Sequence, residues 1–257
     1  MRKTPVIIFV NKMDREGRDP FELLDELEDE LQIKVRPLSW PINQGQRFKG
    51  VYNIYEQQLD LFVSDKQKVT EKVAVDINAP GELEANVGDT DAAKLRDDLE
   101  LVEGVYSEFD VETYRSADVA PVFFGSALNN FGVKELLDCF VQIAPSPRPT
   151  QAEERLVTPD EPKFSGFIFK ITANIDPNHR SCIAFCKVCS GRFVRNAPYL
   201  HVRNGKTVRF SSPTQFMAQR KETIDEAYPG DIVGLPDNGI FKIGDTLTEG
   251  EKIHFRG

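Results

Sequence analysis

The sequence predicts an α/β unit followed by an all-β unit. Signals for buried strands and amphipathic helices alternate along the first part, and short alternating runs separated by turn residues follow. Between the two parts, residues 144–150 read APSPRPT, and three prolines on alternate positions favour an extended linker over a helix. We therefore predict two domains, 1–148 and 149–257, in this chain of 257 residues.

The first domain is predicted to alternate strands with helices. Residues 5–10 form a short apolar run, typical of a strand buried on both faces of a parallel sheet. A helix follows, with Asp19 as N-cap and Pro20 as its first residue. The later elements are predicted as a helix over 92–103, a buried strand over 121–124 and a closing helix from 132 onward.

Residues 34–88 interrupt this alternation. The glycines Gly45 and Gly50 and the aromatic residues Phe48, Tyr52, Tyr55 and Phe62 suggest short strands and turns there. We predict an insertion in the first domain with strands of its own.

The second domain is predicted to be a small antiparallel barrel or sandwich. Strand-like runs are separated by turn residues, and Asn204-Gly205 between two such runs is a strong hairpin signal. The runs cover 166–172, 181–188, 207–210 and 240–243.

Composition excludes several classes of protein. No apolar run approaches the ~20 residues of a membrane span, and the amino terminus does not resemble a signal peptide. Four cysteines in 257 residues do not make a disulfide scaffold, so we expect a reduced, cytoplasmic setting. Neither a membrane nor DNA is expected as a partner. The net charge of −9 argues against a protein that coats nucleic acid over its whole surface, but it does not exclude a local basic face.

The charge is divided unequally between the domains. Residues 1–148 carry 17 Lys and Arg against 28 Asp and Glu, whereas residues 178–221 contain nine basic residues and no acidic one. This basic stretch is either a solvated rim or a surface that contacts RNA phosphates. The candidate RNA contacts are Arg180, Arg192, Arg195, Arg203, Lys206 and Arg209.

The spacing Cys182-x3-Cys186-x2-Cys189 resembles an iron–sulfur motif, and His179 would add a fourth candidate ligand. However, the segment alternates like a strand, in which Cys182 and Cys186 would lie about 13 Å apart and Cys189 would point to the opposite face. We therefore expect no metal site there, and interpret the cysteines as small buried hydrophobes.

The sharpest motif is Asn11-Lys12-Met13-Asp14, directly after the first buried strand. Loops at the carboxyl ends of parallel strands bind ligands in open α/β sheets. The Asp14 carboxylate can accept the N1 and N2 hydrogens of guanine, a donor pair that adenine lacks. The Asn11 amide can reach purine N7 and tie neighbouring loops, and the Lys12 stem can cover the base. A loop with a capping Asp is the alternative.

A second motif, Ser126-Ala127-Leu128, follows the second buried strand in the same way. The Ala127 N–H can be donated to guanine O6, and the Ser126 hydroxyl can order the loop. The two motifs in this order are typical of the part of a GTPase that recognises guanine, so we predict binding of GTP or GDP.

The motifs that hold phosphate are missing. No G-x-x-x-x-G-K-[ST] loop occurs, Asn204–Thr207 is better explained as a hairpin turn, and Asp231–Gly234 lies too late in the chain for a switch region. We therefore expect no Mg²⁺ ligands and no catalytic residue in this chain, which would then be a part of a longer protein and inactive alone.

Five stretches occur in order: NKMDREGRDPFELLDELE, WPINQGQRFKGVYNIY, PVFFGSALNNFGVKELLD, FIFKITANIDPNHRSCIAFCKVCSGRF and AYPGDIVGL. Together, over essentially the whole chain, they resemble the bacterial peptide chain release factor 3 family of translational GTPases. The resemblance implies the carboxyl-terminal half of a P-loop GTPase domain followed by a translation-factor-type β-barrel. It also implies GTP-dependent removal of class-I release factors from the ribosome.

The resemblance further implies that Asn11, Lys12, Met13, Asp14 and Ser126-Ala127-Leu128 contact the guanine base. It implies that the barrel faces small-subunit ribosomal RNA, and that Mg²⁺ ligands, both switches and the catalytic histidine lie upstream of Met1. A different hypothesis is a non-catalytic module that binds ribosomal RNA through the barrel alone.

Overall fold

A computed structural model describes residues 4–62, 71–173, 182–217 and 220–255 of the chain. The chain divides into two compact units, Met1–Ala144 and Pro145–Gly257. Each unit has hydrophobic clusters of its own.

The first unit alternates strands and helices. Its described elements, in chain order, are β1 (Ile8–Val10), α1 (Pro20–Leu31), β2 (Lys34–Pro37), β3 (Ser39–Ile42), β4 (Gly50–Asn53), β5 (Gln58–Leu61), β6 (Glu71–Ala74), α2 (Glu82–Val87), α3 (Asp89–Val105), α4 (Val111–Arg115), β7 (Val119–Phe124) and α5 (Val133–Ile143).

A three-stranded parallel sheet in the order β1-β7-β2 underlies this unit. Helix α1 connects β1 to β2 and begins as its sequence predicts, because the Asp19 carboxylate accepts a hydrogen bond from Phe21 N at 2.8 Å and Pro20 is the first residue. The helix ends at Leu31, and its C-cap residue Gln32 adopts a left-handed conformation.

The segment predicted as an insertion contains an antiparallel sheet in the order β3-β4-β5-β6. Its predicted start requires a correction, because residues 34–37 form β2 of the parallel sheet and the inserted strands begin at Ser39. Val35 is buried in the main core, which favours pairing of this segment with β7 over an exposed separate strand.

Trp40 connects the inserted sheet to the rest of the first unit. It is fully buried, its ring lies 4.5 Å from Phe21 of α1 and 5.6 Å from Phe124 of β7, and its Nε1 donates to Asp98 of α3 at 3.1 Å. The inserted sheet therefore shares one hydrophobic core with the parallel sheet and with both long helices.

The second unit is all-β, and its main sheet is antiparallel with the order β14-β13-β19-β10-β11-β18-β15-β16. The described strands are β8 (Thr150–Gln151), β9 (Leu156–Val157), β10 (Ser165–Ala173), β11 (Cys182–Ser190), β12 (Phe193–Val194), β13 (Tyr199–His201), β14 (Lys206–Val208), β15 (Thr214–Met217), β16 (Arg220–Thr223), β17 (Glu226–Ala227), β18 (Ile232–Asp237) and β19 (Thr246–Thr248). The sheet curls into a barrel-like domain around its own core, so the predicted fold class is confirmed for both units.

One turn prediction and one strand prediction for this unit had different outcomes. Asn204-Gly205 joins β13 to β14 as a hairpin, with Gly205 at φ +67°. Residues 240–243, predicted as a strand, instead form a turn region between β18 and β19. The Asp237 carboxylate accepts hydrogen bonds from Ile240 N and Phe241 N, and these local bonds compete with strand pairing.

Candidate functional site

Two loops leave the same edge of the parallel sheet. Strands β1 and β7 pair in parallel. Strand β1 ends at Val10 and strand β7 ends at Phe124, and these two residues lie opposite each other. The loops that follow, 11–14 and 125–131, contain the two predicted base-recognition motifs. The structure therefore brings together residues that lie more than 110 positions apart in the sequence.

The Asn11 side chain joins the two loops. Its Oδ1 accepts a hydrogen bond from Lys12 N at 2.8 Å and another from Ala127 N at 2.9 Å. Lys12 has φ +71°, an uncommon value for a residue with a Cβ, and the bond to Asn11 holds it there. The predicted role of Asn11 in tying neighbouring loops matches this geometry.

The Ala127 N–H, predicted to be donated to guanine O6, is donated to Asn11 Oδ1 here. A contact with guanine would therefore require this hydrogen to be shared between two acceptors. Asn11, Lys12, Ala127 and Leu128 are exposed, so their side chains remain accessible to a ligand at the sheet edge.

Met13 has a different position from its neighbours in the motif. Its side chain is 4% exposed and belongs to the main hydrophobic core, while its N–H donates to Gly125 O at 3.0 Å. Met13 therefore anchors the first loop to the second through its backbone and to the core through its side chain.

Asp14 and Ser126 are connected through Asn129, which the sequence did not single out. Asn129 Nδ2 donates to Ser126 Oγ at 2.9 Å and lies 3.4 Å from Asp14 Oδ2. Ser126 is buried, and its backbone N–H and C=O both pair with Phe131 at 3.0 Å. The only sequence signal for this role is an amide side chain placed one residue after the second motif.

The close approach of the loops depends on Gly125. A Cβ at this position would lie 2.4 Å from Phe131 O and 2.7 Å from the Phe9 ring. Because backbone atoms cannot move aside as a flexible side chain can, any other residue would push the second loop away from the sheet edge.

In the second unit, most of the predicted RNA-contact residues have acidic or backbone partners. Arg192 pairs with Glu226 at 3.1 Å and Arg195 with Asp225 at 3.3 Å. Arg209 Nη1 donates to Asn196 O at 2.6 Å.

Three candidates for RNA contact remain, and the structure describes two of them. Lys206 makes no ion pair with any residue that the structure describes, and it is exposed. Arg203 Nε and Nη2 donate to the Asp245 carboxylate at 2.6 and 2.9 Å. Arg180 lies outside the described residues.

Asp245 is the centre of a buried network. Besides Arg203, it accepts hydrogen bonds from His201 Nε2 and Lys242 N, both at 2.8 Å, and its side chain is 4% exposed. Burial opposes ionisation of the carboxyl, but the bonds from Arg203, Lys242 N and His201 outweigh it and lower its pKa. Arg203 is thus tied into the fold of this unit.

The cysteines of β11 are free thiols. Cys186 and Cys189 are buried, and burial raises the pKa of both, that of Cys189 to about 11. Within the described residues, the one set of three His, Cys, Asp or Glu ligand atoms within 4.8 Å of each other is Glu153, Glu154 and His254, all exposed. His179, weighed with the cysteines as a ligand by position, lies outside the described residues.

Helices of the described residues are also too short or too polar to cross a membrane.

Two protein-family models match the chain. The model described as elongation factor Tu GTP binding domain matches residues 1–146, more than half of the chain. The model described as elongation factor G domain 2 matches residues 163–250.

A solved structure from Thermus thermophilus is similar over 97% of this chain, with a TM-score of 0.67 and 22% sequence identity. The match covers 37% of the solved chain, so the chain described here spans little more than a third of that length. At this identity, the similarity shows a shared fold.

Proposed function

Because this chain belongs to the translational GTPase family, we propose that its first unit binds the guanine base of GTP or GDP between loops 11–14 and 125–131. The observation that carries the proposal is the Asn11 side chain, which accepts hydrogen bonds from both loops and holds their exposed residues side by side. A capping role for Asp14, the alternative, has no support, because no described helix begins next to it.

Chemistry favours guanine over adenine at this site. The Asp14 carboxylate would accept hydrogens from N1 and N2 of guanine, and Asn11 and Ala127 would offer N–H groups to N7 and O6. Adenine presents an acceptor at N1 and a donor at N6, so it would leave these groups unpaired or opposed. Lys12 and Leu128 supply exposed apolar stems that can cover the base and ribose.

For the cellular role, we propose that the chain is part of a release factor that uses GTP to remove class-I release factors from the ribosome. Support comes from the five quoted sequence stretches, which resemble the bacterial peptide chain release factor 3 family along the whole chain. GTP brings Mg²⁺ on its phosphates, and the residues proposed here act on the base.

A contact with small-subunit ribosomal RNA is proposed for the second unit. Lys206 is the strongest candidate because its charge is not neutralised by a described acid, and Arg209 follows because its partner is a neutral carbonyl. Arg192 and Arg195 would have to leave Glu226 and Asp225, which costs little for exposed pairs.

Nucleotide binding is tested by NMR titration of the chain with GDP and with ADP, a method that detects millimolar complexes. We expect shifts of the Asn11, Lys12 and Ala127 amides with GDP and none with ADP at equal concentration. Equal shifts with both nucleotides would contradict guanine recognition.

The cellular role is tested by adding the full-length release factor of which this chain would be a part, with GTP, to ribosomes that carry a class-I release factor. Faster dissociation of that factor, abolished by Asp14→Ala, supports the role. Binding to ribosomes that ignores nucleotide and falls steeply with salt would instead favour the non-catalytic RNA-binding module.

A further inference from the structure

We propose that the inserted sheet, β3 to β6, positions the two base-recognition loops, and that it acts through Met13 on the first loop and Phe131 on the second. This inference rests on the proposed guanine site, which lies at the ends of β1 and β7 and contains no residue of the insertion. The insertion would thus serve the site without touching the base.

The first contact is a hydrogen bond to the loop of residues 11–14. Gly45 N, in the turn between β3 and β4, donates to Met13 O at 2.9 Å. Next to it, Gln44 Nε2 donates to Gly17 O at 2.9 Å. The insertion therefore holds two backbone carbonyls, one in the first loop at Met13 and one just beyond that loop at Gly17.

The second contact is a triangle of aromatic rings. Phe131 closes the loop of residues 125–131, and its ring centroid lies 5.6 Å from Phe48 and 5.3 Å from Phe62. The Phe48 and Phe62 rings are themselves 5.1 Å apart. The Phe131 pairs are edge-to-face, the arrangement that the charge distribution of aromatic rings favours.

Phe131 transmits this packing to the residues that would contact guanine. It is 2% exposed, and two backbone hydrogen bonds join it to Ser126 at the start of the loop. Ala127 and Asn129 lie between those bonded ends, so the position of the Phe131 ring sets the position of both. Base recognition by hydrogen bonds requires placement to within about 0.5 Å, which makes this support functionally relevant.

The other prominent feature of the insertion is a cavity of about 490 Å³ between the inserted sheet and α3. It is lined by Tyr52, Arg96, Leu99 and Glu100, among others, but among the described residues no buried polar group without a partner lies in its wall. The cavity therefore gives no ground for a ligand site, and the proposal rests on the contacts between the insertion and the two loops.

The test compares two substitutions in the same hydrophobic core. Phe48→Leu breaks the triangle from the insertion side, whereas Phe21→Leu removes a ring that packs at a tilt against Trp40 and touches neither loop through a described ring contact. Phe62→Leu serves as a second insertion-side variant if Phe48→Leu does not fold.

Amide hydrogen exchange is the first measurement, because it needs no nucleotide. The reporter amides are Met13, Ala127 and Phe131, and the reference amide is Leu38, bonded to Val122 O. We expect exchange at the reporters to rise at least tenfold relative to the reference in Phe48→Leu and to stay unchanged in Phe21→Leu. Equal ratios in both variants would overturn the positioning role.

Preference for GDP over IDP, which lacks the guanine amino group, is the second measurement. Phe48→Leu should lower the ratio of the two affinities, and Phe21→Leu should keep it, since lost stability alone weakens both ligands equally. If the unsubstituted chain does not distinguish GDP from ADP, the proposed guanine site fails, and the exchange result still decides whether the insertion positions the loops.

Discussion

Two buried aspartates, one in each unit, have opposite surroundings. Asp245 in the second unit accepts hydrogen bonds from His201, Arg203 and Lys242 N, whereas both carboxylate oxygens of Asp60 on β5 lack a hydrogen-bond partner among the described residues. Asp60 is 1% exposed and Asp245 is 5% exposed, so burial does not distinguish them. The difference lies in the charged groups nearby.

The groups around Asp60 are mostly acidic. Burial raises its pKa, the negative charges of Glu135 on α5 and Glu56 raise it further, and only Lys72 on β6 lowers it. The result is a pKa of about 7. Lys72 pairs with Glu135 at 2.9 Å and lies 3.7 Å from Glu56, so its charge is shared.

The comparison teaches that a charge count along the sequence does not reveal which charged groups are paired inside the fold and which are free to contact a partner. The second unit uses several of its basic residues internally, with Asp225, Glu226 and Asp245 as partners. The first unit is acidic overall, yet it leaves polar groups exposed at the sheet edge and one carboxyl unpartnered in the described part of its interior.

The largest effect is expected at Asp245. Asp245→Ala leaves the buried His201 Nε2 and the half-buried Lys242 N without their acceptor, and each unsatisfied buried donor costs about 1–3 kcal/mol. Denaturant unfolding should show this loss, and Asp225→Ala, in an exposed pair, should lose under about 1 kcal/mol. A loss at Asp245 no larger than at Asp225 would remove the contrast between the units.

Asp60→Asn should raise the free energy of unfolding, whereas Asp245→Ala lowers it. The pKa of Asp60 is raised in the folded state, so the unfolded chain releases this proton first and stability falls as pH rises from about 4 to about 7. Asparagine does not titrate, so the variant should gain as much as about 4 kcal/mol over the natural chain at pH 8 and nothing at pH 4.

Unfolding curves at pH 4, 6 and 8 measure this gain, with Asp29→Asn on the exposed face of α1 as control. At pH 8, the gain from Asp60→Asn should exceed the change from the control. A stability difference at Asp60 that is constant with pH would mean that this carboxyl has an ordinary pKa.

Sequence reasoning succeeded where the signals are local. Caps, the order of strands and helices, the hairpin at Asn204-Gly205 and the placement of both motifs at strand ends all depend on neighbouring residues. It missed Gly45 and Phe131, because their roles arise from contacts between segments more than 30 residues apart.

The basic stretch shows the same limitation. Its arginines meet Glu226, Asp225 and Asp245, which lie 34, 30 and 42 positions away from them in the sequence. An acid-free window therefore did not predict an unpaired surface, and Lys206 is left as the clearest candidate for RNA contact.

The smallest effect is expected at Lys206. Lys206→Gln should leave stability unchanged and reduce the salt dependence of binding to small-subunit ribosomal RNA by about one unit of slope, as for one lost phosphate contact. Filter binding at several salt concentrations measures the slope. Lys94→Gln, which lies on α3 in the first unit, is the control, and an equal change in both variants would argue against RNA contact by the barrel.

The most direct test of the guanine site exchanges its recognition chemistry. Asn in place of Asp14 would accept the N1 hydrogen and donate to the C2 oxygen of xanthine, whereas guanine presents an amino donor there. Titration of the natural chain and Asp14→Asn with GDP and xanthosine diphosphate should show a reversed preference, with affinity for GDP falling about 100-fold, or on the order of 3 kcal/mol. An unchanged preference in Asp14→Asn would contradict recognition of guanine by this carboxylate.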